Sequence, residues 1–174
     1  MAVKPDARAQ ASAFGIAALI VALDVATKEL VRARLLESQT YLVIPGLLNI
    51  VHAENRGVAF SLLADATGEW WPILLIALPA AAVVAMAVLL WTGMASDSIV
   101  RTALALVLGG ALGNLYDRAT HGAVTDFIDV YWGSHSFPAF NAADSAITIG
   151  ACLLLLDTWL TGGSDAGKGA RRVS

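Results

Sequence analysis

The sequence predicts an α-helical integral membrane protein with four transmembrane helices and a small antiparallel sheet at the membrane surface. Three observations carry this reading. Hydrophobic residues make up 57% of the 174-residue chain and charged residues only 14%, with a mean hydropathy of +0.69. Soluble domains carry roughly a quarter charged residues, so a surface this apolar needs lipid around it. Four stretches approach the about 20 apolar residues that cross a bilayer as a helix. Between the first two lie two short β-branched runs around a Pro-Gly pair, the pattern of a hairpin.

The elements follow in order within one domain covering residues 1–174. The first span covers about residues 12–30 and carries Asp24 and Lys28 near its far end. Lys4 and Arg8 ahead of an apolar stretch imitate a signal peptide, but no small-residue cleavage site follows and the helical spacing continues, so the span is expected to be retained. In the 31–69 connection, Tyr41-Leu42-Val43-Ile44 and Leu47-Leu48-Asn49-Ile50-Val51-His52 flank Pro45-Gly46 and predict the sheet. The second span, 70–90, has Trp70, Trp71 and Trp91 where interfacial aromatic belts sit, and neighbouring helices can satisfy carbonyls freed by Pro72 and Pro79. The third span covers about 99–116. A connection rich in polar and aromatic residues fills 117–138, the fourth span covers 139–160, and the Gly/Ser/Lys/Arg-rich stretch 162–174 reads as a flexible tail.

Orientation follows lysine and arginine placement. Lys4, Arg8, Arg101, Lys168, Arg171 and Arg172 share the side of the termini, while Arg32, Arg34, Arg56 and Arg118 lie opposite with Lys28 near that boundary. The bias favours both termini in the cytoplasm, with the two long connections on the outer side. A net charge of −3 and no basic stripe exclude nucleic-acid binding. The single cysteine, Cys152, excludes an internal disulfide and a cysteine-rich zinc site; its apolar surroundings in sequence predict a buried thiol.

Ionisable residues within spans cost about 2.5–3.5 kcal/mol each at the bilayer centre, so each needs a reason. Asp24 and Lys28 are four apart with the acid first, the favourable order for an ion pair, and the spacing predicts a structural pair with Lys28 reaching outward to the interface. Asp144, in Phe140-Asn141-Ala142-Ala143-Asp144-Ser145, is suited to the positive end of the fourth helix, yet that role leaves Asn141 unexplained. Asp126 and Asp129 stand just upstream, in a stretch read as loop, and either is placed to face Asp144. Two adjacent carboxylates do not both ionise cheaply, so one keeps a proton while the other can take one from water, which suits hydrolysis. Asn114 and Arg118, four apart at the end of the third span, share a face; the glycines before them suit close helix packing, and Asp117 with Arg118 also reads as an interfacial capping pair. His52, His121 and His135 form no HExxH pair, and neither GxSxG nor SxxK occurs, which leaves zinc and serine peptidase chemistry without their residues. A proton-coupled carrier titrating Asp24, Asp126 and Asp144 is a rival reading; duplicated halves, its usual sign, are not evident. A non-catalytic membrane scaffold is a second.

Taken together the motifs resemble those of lipoprotein signal peptidase, the type II signal peptidase of bacteria. The resemblance spans nearly the whole chain and rests on five motifs in order. They are Asp24-x-x-Thr27-Lys28; Asn55-Arg56-Gly57-x-Ala59-Phe60-Ser61; Gly109-Gly110-Ala111-Leu112-Gly113-Asn114-Leu115-x-Asp117-Arg118; Val124-x-Asp126-Phe127; and Phe137-Pro138-x-Phe140-Asn141-x-Ala143-Asp144-Ser145. It implies a globomycin-sensitive aspartyl peptidase of the cytoplasmic membrane, with four helices and a periplasmic β-cradle. Such an enzyme removes signal peptides from diacylglyceryl-modified prolipoproteins by cutting before the lipidated cysteine. By the same resemblance Asp126 and Asp144 are the catalytic acids, Asp129 falls outside the matching motif, and Asn55, Asn114, Arg118 and Asn141 line the site. Asp24 and Lys28 match a structural pair. Prolipoprotein and membrane lipid are the implied partners, a monomer is expected, and no cofactor or metal is implied because water is the nucleophile. Arg56 departs from the pattern, where many members carry threonine or another small residue.

Overall fold

The computed structural model describes residues 6–57 and 71–170. Lys4, Trp70, Arg171, Arg172 and the 58–61 half of the Asn55 motif lie outside the described residues. Four helices are long and apolar enough to cross a membrane: α1 (Ala7–Arg34), α2 (Trp71–Trp91), α3 (Ser98–His121) and α4 (Ala142–Ala170). Strands β1 (Thr40–Ile44) and β2 (Leu48–Asn55) connect α1 towards α2. Strands β3 (Val124–Trp132) and β4 (His135–Ser136) lie between α3 and α4, and the sheet runs in the order β1-β2-β3-β4, antiparallel throughout.

The helices run past the apolar stretches that announce them, because their ends are capped by polar residues that the membrane does not require. Asp6 accepts the Arg8 amide at 3.0 Å at the start of α1. Asp97 accepts those of Ile99 (2.7 Å) and Val100 (3.3 Å) at the start of α3. α3 stops five residues beyond the expected 116 because Gly122 takes the left-handed conformation, φ +75°, that most side chains resist, and returns its amide to Arg118 O. α4 stays helical to Ala170, beyond the expected end of the span, each added residue contributing one more backbone hydrogen bond.

The hairpin expected around Pro45-Gly46 is β1–β2. Leu47 N donates to Ile44 O at 3.1 Å with Gly46 at φ +78°, the geometry of a type II turn with proline and glycine in their favoured positions. The second connection differs from expectation. Val124–Trp132, read as loop, is the third strand, paired along β2 from Leu48↔Val130 to Asn55↔Val124. Its valines, isoleucine, threonine and aromatics favour a pleated surface, and the edge of β2 gives them a partner that lies 69 or more residues away in sequence.

α3 is the central helix, packed against α1, α2 and α4. Its glycines allow this. A Cβ on Gly109 would lie 2.8 Å from Ala17 O of α1, one on Gly110 2.4 Å from Ala143 O of α4, and one on Gly113 2.5 Å from Asp24 Oδ2. The outer faces carry exposed Leu19, Leu23, Val84, Leu155 and Trp159, the surface lipid would cover. Cys152 belongs with them. It is exposed, not buried, because no other helix covers that face of α4.

Candidate active site

Three polar features converge where α1, α3, β3 and the start of α4 meet. The first is an ionic cluster. Asp24 and Lys28 are fully buried, with Lys28 Nζ 2.7 Å from Asp24 Oδ2 and 3.3 Å from Asp117 Oδ2. Lys28 therefore does not reach outward to the interface as its position predicted. Its ammonium turns inward because Asp117 and Asn114, whose Oδ1 accepts its proton at 2.9 Å, supply partners inside the protein. Asp117 also accepts from Arg32 (2.6 Å) and from the Thr125 amide (3.0 Å), so it tethers α3 to both α1 and β3 and is not an interfacial cap. Asp24 Oδ1 takes the Ala143 amide at 2.8 Å, one of the otherwise unpaired donors at the start of α4.

The second feature is the start of α4. Asn141 Oδ1 accepts the Asp144 amide at 2.9 Å while Asp144 Oδ2 accepts the Asn141 amide at 3.3 Å, a reciprocal capping box. This arrangement accounts for both residues at the helix end, and it leaves the Asn141 amide nitrogen and Asp144 Oδ1 for other partners. Asp144 Oδ1 accepts from Asn114 Nδ2 at 2.8 Å.

Strand β3 supplies the third. Asp126, 4% exposed, accepts from Asn141 Nδ2 at 2.7 Å and from Asn55 Nδ2 at 3.1 Å. Asn55 is the last residue of β2, and its Oδ1 accepts the Gly57 amide at 3.0 Å, which holds the side chain across to Asp126. The chain entering α4 is stitched to β3 by Phe140, whose carbonyl accepts from Phe127 and Ile128 and whose amide donates to Ile128 O. That pairing fixes the α4 start against Asp126, so Asn141 is hydrogen-bonded to both acids.

Asp129 goes elsewhere. Its partners are other than those of Asp126: Asn49 Nδ2 donates to it at 2.8 Å and the Ser136 hydroxyl donates to its other oxygen. Arg118 is half-buried beside the acids, and its charge acts on Asp144 and Asp126. Its Nε is buried without a hydrogen-bond partner among the described residues. Of the residues predicted to line the site, Asn55, Asn114 and Asn141 each touch a carboxylate. Thr125 was not singled out by the sequence, and Asp117 was read there only as half of an interfacial capping pair. The helical spacing of Asn114, Asp117 and Arg118, three and four apart, was the available signal for Asp117.

Burial pushes the Asp126 carboxyl up to about 6, with the charge of Asp144 adding to the rise and the amides of Asn55 and Asn141 opposing it. Two cavities open on either side of Pro138 and Ala139. One, of about 430 Å³, is walled by Phe137, Phe140 and Ile149 and reaches Asp144; the other, of about 460 Å³, is bordered by Glu54, Asn55 and Arg56 and reaches Asp126. A chain laid over Pro138 and Ala139 would meet both acids. Among the described residues no cluster of side chains could hold a metal ion.

The sequence family of signal peptidase (SPase) II matches residues 16–160. The lipoprotein signal peptidase of Solibacter usitatus (strain Ellin6076) is 50% identical over 153 residues, 88% of this chain and 92% of the relative. That of Yersinia pseudotuberculosis serotype O:1b (strain IP 31758) is 40% identical over 146 residues, 84% and 85% of the two chains. A solved structure described as a bacterial membrane enzyme, obtained by the in meso method at 2.3 Å, superposes with a TM-score of 0.76 at 28% identity, covering 95% of both chains. A second such structure, at 1.9 Å, gives 0.74 at 29% identity over 90% of this chain and 96% of the other. With four membrane-crossing helices and an antiparallel sheet in place, these matches make the assignment: the chain belongs to the signal peptidase II family of aspartic peptidases.

Proposed function

We propose that the protein removes signal peptides from diacylglyceryl-modified prolipoproteins by cutting before the lipidated cysteine, with Asp126 and Asp144 activating water. The observation that carries this is Asn141, which accepts the Asp144 amide through one side-chain atom and donates to Asp126 through the other. It holds two carboxylates in one site with no cation at hydrogen-bonding distance from either among the described residues. Asp126, lifted to about 6, is the member that keeps a proton near neutrality more readily than an ordinary carboxyl.

In this mechanism the protonated acid donates to the scissile carbonyl oxygen while the ionised one takes a proton from water, whose oxygen attacks the carbonyl carbon. The tetrahedral intermediate collapses as the nitrogen of the lipidated cysteine receives a proton and leaves as an amine. Asn55, Asn114 and Asn141 fix the carboxylates, and Arg118, whose buried Nε has no hydrogen-bond partner among the described residues, would hold a substrate carbonyl. The substrate is anchored by its acyl chains, so its scissile bond lies near the headgroups, the depth of acids at span ends. The reading places the protein in the bacterial cytoplasmic membrane as a monomer, with both termini cytoplasmic and the sheet and acids towards the periplasm. Globomycin, a cyclic peptide, would occupy the same site.

The test is cleavage of a diacylated prolipoprotein by purified, reconstituted enzyme, the mature product read by mass spectrometry. Cleavage should start the product at the lipidated cysteine. Asp126→Asn and Asp144→Asn should each lower turnover by about 10³-fold or more while the helical signal persists. Normal turnover by either variant overturns the dyad.

A further inference from the structure

A cavity of about 410 Å³ lies away from the acids, between the end of α1 and the β1–β2 hairpin, lined by Leu30, Val31, Arg34, Leu35, Tyr41 and Ile50. Five of the six side chains are apolar or aromatic; Arg34 is the one charge. Leu30, Val31, Arg34 and Leu35 share a face of α1 by their spacing, and Tyr41 and Ile50 are paired across β1 and β2. Arg34 is exposed, and among the described residues no carboxylate pairs with it, in contrast to Arg32 two residues earlier, which holds Glu29 and Asp117. Tyr41 is 64% exposed and its hydroxyl has no partner among the described residues.

The depth of this cavity follows from α1. Between Arg8 and Glu29 the helix exposes no charge, since Asp24 and Lys28 are fully buried. That stretch of roughly 20 residues rises about 30 Å, the thickness of a hydrocarbon core. Arg34 stands five residues farther, about 7.5 Å beyond Glu29, in the layer of lipid phosphates. Leu30 and Val31 lie at the boundary, where acyl chains begin.

We infer that this cavity binds an anionic glycerophospholipid of the surrounding leaflet. The Arg34 guanidinium donates to the phosphodiester oxygens, the Tyr41 hydroxyl donates to the same headgroup, and the upper acyl chain lies against Leu30 and Val31. No acid lines the cavity, so nothing is in place for the ammonium of a zwitterionic headgroup, and an anionic lipid fits best. The site goes beyond the peptidase reading and does not depend on it, because it uses none of the residues around Asp126 and Asp144.

The experiment reads binding, not cleavage. Full-length protein in detergent is titrated with phosphatidylglycerol, with diacylglycerol of the same chains, and with inorganic phosphate, and retained adducts are counted by native mass spectrometry. Wild type should retain one phosphatidylglycerol in preference to diacylglycerol, with phosphate neither retained nor competing at equal concentration. Arg34→Gln should weaken retention at least fivefold and Tyr41→Phe two- to threefold, while Arg101→Gln, at the other end of the helices, should leave it unchanged. Both cavity residues are exposed and unpartnered, so the variants should melt as wild type does. Equal retention by Arg34→Gln, or equal retention of diacylglycerol, overturns the proposal; competition by inorganic phosphate would show a small-anion site and overturn the lipid assignment.

Discussion

Two carboxylate clusters, one buried and one partly so, meet at Asn114, and they are built on opposite principles. In the first, Asp24 and Asp117 share Lys28, and Asp117 also holds Arg32, so each acid faces a cation at 3.3 Å or less. In the second, Asp126 and Asp144 hydrogen-bond, among the described residues, to the neutral amides of Asn55, Asn114 and Asn141 and to the backbone, and the charge of Arg118 acts on them without a hydrogen bond. A cation fixes a carboxylate in its charged state; amides orient it and leave its proton exchangeable. The first cluster therefore joins helices and the second can do acid–base chemistry. Asn114 connects them, accepting from Lys28 and donating to Asp144, so the ionic cluster also sets the position of the acid pair.

The contrast breaks most visibly at Lys28. Replacing it with methionine leaves Asp24 and Asp117, 0% and 1% exposed, without their shared cation. Removing one partner of a buried pair costs about 3–5 kcal/mol, so Lys28→Met should fall sharply in melting temperature and yield. Asp144→Asn, by contrast, should lose activity and keep its stability. A Lys28→Met protein as stable as wild type would mean that the ionic cluster does not hold α1 to α3.

The next effect has the opposite sign. Asp126 titrates at about 6 in the folded chain against an ordinary 3.8. Below the ordinary value both folded and unfolded states hold the proton and the site costs nothing. As pH rises through the folded value the unfolded chain has already ionised, and up to about 3 kcal/mol of stability is lost. Asp126→Asn, which does not titrate, should therefore be more stable than wild type at pH 7 to 8, and the advantage should shrink to nothing below about pH 4. Thermal melts across that range check it; an advantage that is absent at neutral pH would show Asp126 to be an unstrained acid.

How legible each cluster was follows from the same difference. The four spans, the Pro-Gly hairpin and the Asp24–Lys28 pair were readable because apolar length, turn chemistry and helical spacing are local signals. Asp117 as a third member of the ionic cluster was not, because its partners come from α1 and β3, 85 and eight residues away. The strand β3 was hidden for a related reason: a strand interrupted by two aspartates becomes visible only when its partner is known, and reading it as loop left Asp126 and Asp129 equivalent by physics alone. Their hydrogen-bond partners separate them, Asn55 and Asn141 for Asp126 against Asn49 and Ser136 for Asp129. The role of Asn141 was likewise half visible, since its sequence suits a helix cap while its bond to Asp126 depends on Phe140 pairing with β3.

Gly113 tests the packing that brings the two clusters together. A Cβ there would lie 2.5 Å from Asp24 Oδ2, and that carboxylate is held by Lys28 and by the Ala143 amide, so it cannot move aside without releasing one of them. Gly113→Ala should cost about 1–3 kcal/mol, as overpacking does in tight interiors, and activity should fall in step with the folded fraction. Gly122→Ala would strain the backbone but touch neither cluster, which makes it the control for a mere loss of helix stability.

The smallest effect is expected at Asp129, and its smallness is informative. Asp129 and Asp126 are three apart on one strand, the same residue type, and both near the start of α4 in sequence. If position along the chain determined function, either would serve. Their partners decide between them: Asp126 is held by Asn55 and Asn141, whereas Asp129 is occupied by Asn49 and Ser136. Asp129→Asn removes the charge, keeps an acceptor for Asn49 and puts an NH2 group before Ser136, whose exposed hydroxyl can turn to accept from it. Turnover should stay within about twofold of wild type and the melting temperature within a degree or two, the range of substitutions that disturb no buried partner. A large loss of cleavage by Asp129→Asn, with folding intact, would show that Asp129 takes part in the chemistry, and the acid pair would have to be redrawn.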